Sequence, residues 1–106
     1  MTERRRRPME RIGDLLPEAA RRLGLETELR LARAGSTWNA LVAERVPAAT
    51  GACRLLRVDD RTLVIEADAP IVAQELRLRT TELLEAFATA PGGFRAADMR
   101  ITIRRP

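Results

Sequence analysis

The chain has 106 residues, 19 of them arginine, against 15 acidic residues, for a formal net charge of +4. Histidine, lysine and tyrosine are absent and Cys53 is the single cysteine. This excludes a histidine general base, a Ser-His or Cys-His dyad within one chain, histidine-bearing or four-cysteine zinc sites, and an intrachain disulfide. The length suits one domain with a real core. One unpaired cysteine suits a reducing compartment. Arg4, Arg5, Arg6 and Arg7 are not followed by the apolar run of a signal peptide, and no segment approaches the roughly 20 apolar residues of a membrane span. A cytoplasmic protein is expected.

The charge is uneven. Residues 1–11 carry five arginines against two glutamates, residues 100–106 carry three arginines and no acid, and the middle is slightly acidic. Residues 1–11 read as a disordered basic arm, because four consecutive arginines repel one another and Pro8 follows. The domain proper is expected over 12–106. Its first helix should start at Asp14 as N-cap, with Pro17 in the first turn and Gly24 as the stop; Leu16, Ala19, Ala20 and Leu23 make its apolar stripe. A second helix should run from Thr27 to Arg45, with Leu31, Ala34, Trp38, Leu41 and Val42 at three-to-four spacing and a weak point at Gly35-Ser36. Trp38 lies on that stripe and is expected in the core.

A hairpin follows the loop at 47–51. Cys53 to Val58 and Thr62 to Ala67 are strands, and Asp59-Asp60-Arg61 is the turn. The adjacent Leu55 and Leu56 in the first strand suggest cover on both faces, or a bulge. A third helix is expected over Pro70 to Thr89, with Asp68 as N-cap. Val72, Leu76, Leu83 and Phe87 form its core face, while Ile71 and Leu78 point nearly the opposite way. Pro91-Gly92-Gly93 is a turn. The last strand, Met99 to Arg104, alternates Met99, Ile101 and Ile103 with Arg100, Thr102 and Arg104. The order helix, helix, strand, strand, helix, strand implies an α+β fold, with helices on one face of a three-stranded sheet and Arg100 and Arg104 on the open face.

Little in this sequence suggests catalysis. Asp59-Asp60 sits in a turn that favours aspartate for backbone reasons, and Glu82 and Glu85 lie on an outer helix face with no base or metal cluster beside them. Cys53 opens a strand, where a free cysteine behaves as a small apolar residue. No phosphate-loop pattern occurs. Arginines at both ends could follow a phosphate backbone. With so few aromatics, such binding would be electrostatic, weakly sequence-specific and salt-sensitive.

Several stretches in order resemble the DciA family of bacterial replication factors. Trp38-Asn39-Ala40-Leu41-Val42-Ala43-Glu44 resembles the family's "W-x-x-[IV]-V-G-E" helix, with Ala43 in place of the glycine. Thr62-Leu63-Val64-Ile65 resembles its following strand, Ala73-Gln74-Glu75-Leu76 its "a-x-E-L" helix, and Ile101-Thr102-Ile103-Arg104 its terminal strand. Leu15-Leu16-Pro17 and Leu23-Gly24-Leu25 resemble its start. The resemblance covers about residues 12–104.

It implies a KH-like domain, no enzymatic activity and no cofactor. It also implies association with the replicative helicase (DnaB), assistance in loading it, and single-stranded DNA binding. A KH-type G-x-x-G clamp loop is absent, so the standard KH mode of gripping nucleic acid is not assumed. On this reading Arg4, Arg5, Arg6, Arg7, Arg100, Arg104 and Arg105 hold nucleic acid, and Ile71 and Leu78 meet the protein partner. The alternatives are a small RNA-binding KH-like module, or an interaction domain with no nucleic-acid role.

Overall fold

A computed structural model describes residues 7–105, with side chains described from residue 17 onward. Residues 1–6 of the expected arm lie outside the described residues, and Arg7 opens the first helix, α1 (Arg7–Arg45). The chain divides into two compact units, residues 1–30 and residues 31–106.

Within the first unit the expected stop at Gly24 does not occur, and α1 continues through it. An isolated helical glycine costs only about 1 kcal/mol relative to alanine, whereas a break would create two new helix ends, each with four unpaired backbone groups. Thr27 does not cap a new helix; its hydroxyl donates backward to the Leu23 carbonyl at 2.9 Å. Pro17 therefore stands inside the helix and not in its first turn. Residues 17–30 are exposed throughout, including Leu23, Leu25 and Leu29.

The second unit holds the α+β fold. The remainder of α1 leads through a short 3-10 turn, Pro47–Ala49, into β1 (Cys53–Asp59) and β2 (Thr62–Ala67). Helices α2 (Pro70–Leu78) and α3 (Thr80–Thr89) follow, then β3 (Asp98–Ile103). The sheet order is β1-β2-β3; β1 and β2 are antiparallel, β2 and β3 parallel. The register of β1 slips between Leu55 and Arg57, so the Leu55-Leu56 pair marks a bulge. Asp60 and Arg61 both take positive φ, 48° and 66°, in the tight turn between these strands.

The expected third helix is two. It breaks at Arg79, whose φ of −118° and ψ of 24° leave the helical region. The Arg79 amide reaches back to the Leu76 carbonyl at 3.0 Å, and Leu83 resumes the helical ladder by bonding to the Arg79 carbonyl at 2.9 Å. The Thr80 hydroxyl donates to the Arg77 carbonyl at 2.9 Å, next to the break. Leu76 and Leu83, on either side of the break, are both fully buried. The N-cap of α2 is Ala69, without a side-chain capping bond, not Asp68 as the sequence suggested.

One apolar core lies between the helices and the sheet. Trp38, Leu41 and Val42 from α1, Leu63 and Ile65 from β2, Leu76, Leu83 and Phe87 from the later helices, and Met99 from β3 all belong to it. Phe94 packs edge-on against Phe87, with centroids 5.1 Å apart and planes at 78°. The Pro91-Gly92-Gly93 turn is pinned to α1, because the Thr37 hydroxyl donates to the Pro91 carbonyl. Gly93 is obligatory there: a Cβ would stand 2.0 Å from the Phe87 carbonyl oxygen. Gly92 sits at φ +84°, with Thr37 Oγ1 2.6 Å from where a Cβ would be.

Candidate nucleic-acid and partner interface

Strand alternation turns Arg54, Arg57 and Asp59 of β1, Thr62, Val64 and Glu66 of β2, and Arg100 and Thr102 of β3 to the face away from the helices. Arg100 is level with Val64, which is level with Arg57. Val64 is fully buried although it stands outside the helix-side core cluster. Long arginine stems on either side can cover such a residue while keeping their charged heads in water.

The arginines of this face are paired. Arg54 meets Glu66 at 2.7 Å, Arg57 and Arg100 both meet Asp59 Oδ2, at 2.9 and 3.3 Å, and Arg104 meets Asp68 at 3.9 Å. Four guanidinium groups thus face three carboxylates. Each of these arginine side chains is more than half exposed, so each pair contributes only about 0–1 kcal/mol, and a competing phosphate can displace the carboxylate at little cost. Arg100 stands where the sequence suggested, on the open face; β3 ends at Ile103, so Arg104 falls just past the strand, at the end of the sheet. The sequence does not single out Arg54, Arg57 or Glu66 and gives Asp59 only as a turn residue, because the Arg54–Glu66 and Arg100–Asp59 pairs depend on register. Arg105 is exposed just past β3, whereas Arg4, Arg5 and Arg6 lie outside the described residues, as does the side chain of Arg7.

Stacking on bases is not open to the described aromatics. Trp38 and Phe87 are fully buried and Phe94 is partly buried in contact with the core. The Trp38 indole Nε1 is buried with no hydrogen-bond partner. Beside it, burial pushes the Cys53 thiol above its ordinary value; the Trp38 side chain opposes that shift and Asp68 adds to it. The thiol donates weakly to the Ala49 carbonyl, 3.7 Å away. Cys53 is therefore a buried thiol held protonated near neutrality, not a nucleophile.

Ile71 and Leu78 stand seven residues apart on α2, 66 % and 73 % exposed. Seven residues is close to two helical turns, so both project from one side of the helix. They remain exposed although Ala73 and Leu76 of the same helix are fully buried. Next to Leu78 in the chain, Arg79 bridges Glu75 and Glu82, at 3.8 Å to each, and Glu82 also accepts from Arg45 at 3.3 Å. The result is an apolar pair beside a charged network.

The family model "Dna[CI] antecedent, DciA" matches residues 11–101. The chain belongs to the DciA family. No curated protein matches the chain. Membership gives this DciA protein its general role as a non-enzymatic bacterial replication factor of the helicase-loading kind. Among the described residues, no group of three or more His, Cys, Asp or Glu could hold a metal ion, and no helix is long and apolar enough to cross a membrane.

Proposed function

We propose that this protein is a cytoplasmic factor that binds the replicative helicase (DnaB) and assists its loading, through an apolar contact centred on Ile71 and Leu78. The observation that carries this reading is the exposure of both residues on one side of α2, in a domain that buries or partly buries the other large apolar side chains of its later helices. Two exposed residues of that size, with ion pairs next to Leu78 in the chain, have the composition of a small protein-binding patch.

Single-stranded DNA is held by charge and with weak sequence preference. Arg4, Arg5, Arg6 and Arg7 provide one group of cations, and Arg100, Arg104 and Arg105 the other. The burial of Trp38 and Phe87 supports an electrostatic mode, since it withdraws them from base stacking. A salt series of oligonucleotide binding, read by fluorescence anisotropy, tests this part. Deleting residues 1–8 should weaken binding and flatten the log–log salt slope by roughly 2–3, at about 0.7 for each phosphate that the arm neutralises. An unchanged affinity and slope would remove the arm from the account. A preference for structured RNA at equal salt would replace DNA as the ligand.

A further inference from the structure

At the end of the sheet where β1 begins and β3 finishes there is an open cleft of about 400 Å³. Its walls come from separate stretches of chain. Asn39 projects from α1, Thr50 and Gly51 come from the loop after the 3-10 turn, Arg54 from β1, Asp68 from the end of β2, and Arg104 from just beyond β3. Cys53, mostly buried, also lines it.

We propose that this cleft holds the phosphate of one nucleotide unit, with Arg54 and Arg104 as the charged donors and Asn39 and Thr50 as neutral ones. The inference rests on the nucleic-acid part of the proposed function and names its seat. The volume falls within the range of small-ligand sites and is enough for a phosphate and its sugar. The lining carries two guanidinium groups against the Asp68 carboxylate. Glu66, outside the lining, holds Arg54 at 2.7 Å, so Arg54 must exchange that carboxylate for the phosphate, a low-cost exchange for an exposed pair. Both arginine side chains are about three-fifths exposed. The Arg104–Asp68 pair is loose, at 3.9 Å, so Arg104 can turn to a phosphate without breaking a close hydrogen bond. Gly51, at φ +75°, has no neighbour within 4 Å of its would-be Cβ. It leaves that wall as bare backbone, which lets a ligand approach closely. Asp68 is the opposing element, and it limits affinity for any phosphate there.

The test is a nuclear magnetic resonance titration of the full isotope-labelled chain at low salt, with two probes: thymidine 5′-monophosphate and a ten-residue oligothymidylate. The Thr50, Gly51 and Arg54 backbone amides and the Asn39 side-chain amide should shift with both. If the oligonucleotide binds while these amides stay in place, the cleft is overturned and DNA binding survives elsewhere. If the mononucleotide shifts them and the oligonucleotide does not bind, the cleft stands as a site for a free nucleotide phosphate and the DNA reading falls. If neither probe moves them, the proposal fails.

Variants give an independent check of opposite signs. R54Q/R104Q should weaken oligonucleotide binding about tenfold, as expected for two exposed charge pairs. D68N should tighten it about twofold, by removing the competing carboxylate. A purely structural role for these residues would not produce tighter binding in D68N, and weaker or unchanged binding in that variant would contradict the proposal.

Discussion

Replacing Ile71 and Leu78 together by serine separates folding from partner binding. Ile71 is 66 % exposed and Leu78 is 73 % exposed, so most of each side chain has still to leave water. Complete burial of such a side chain is worth about 1.5–3 kcal/mol. Scaling by the exposed fraction leaves about 1–2 kcal/mol per residue to be gained on docking. I71S/L78S should therefore weaken helicase binding by roughly 30- to 700-fold, at a tenfold change per 1.4 kcal/mol. The same substitutions remove little folded-state burial and should shift stability by less than about 1 kcal/mol. Calorimetric titration against the helicase measures the first quantity, and thermal unfolding followed by circular dichroism measures the second. Affinity retained within twofold, in a variant with an unchanged melting temperature, would refute the assignment of this face.

Two predictions concern the fold that positions these residues. G93A places a Cβ 2.0 Å from the Phe87 carbonyl oxygen, and 3.2 Å from that of Ala90; relieving that clash should cost about 1–3 kcal/mol and lower the melting temperature by several degrees. A melting temperature within one degree of the parent would show that the turn can move away freely. Cys53 should react with a disulfide reagent far more slowly in the native protein than in denaturant at pH 8, because the thiol is buried and its pKa raised. The folded state favours the protonated thiol. This contribution to stability should thus be complete below the unfolded-state value and be lost as pH rises through the folded one, with the decline starting near the ordinary value of 9.0. Immediate native-state labelling would contradict the burial of this residue.

The elements governed by local chemistry could be read from the sequence. The hairpin, its Asp-rich turn and the alternation of β3 follow from strand period and turn residues. Helical spacing alone placed Trp38 and Phe87 in the core and left Ile71 and Leu78 outside it. Features set by competition between local terms were not legible. Gly24 is a stop signal, yet the helix runs through it, because ending a helix leaves more unpaired backbone than one glycine costs. The break at Arg79 falls where no glycine or proline marks it.

Most of the arginine pairs could not be read, since they depend on which residues the two ladders bring level; only Arg57 and Asp59, two apart on one strand face, follow from spacing. Only the register sets Arg54 beside Glu66 and lines up Arg100, Val64 and Arg57. Asp68 shows the same limit. Its position suggested a helix cap, but it stands one residue too early and faces Arg104. The cleft gathers Asn39, Thr50 and Arg104 from distant parts of the chain, and no spacing in the sequence announces it.

The central claim is association with the replicative helicase. Co-elution of the full-length protein with the helicase of the same organism, by size exclusion with light scattering and with or without single-stranded DNA, tests it most directly. The account predicts a complex of fixed stoichiometry that is lost in I71S/L78S. Separate elution of the two well-folded proteins in both conditions would contradict it.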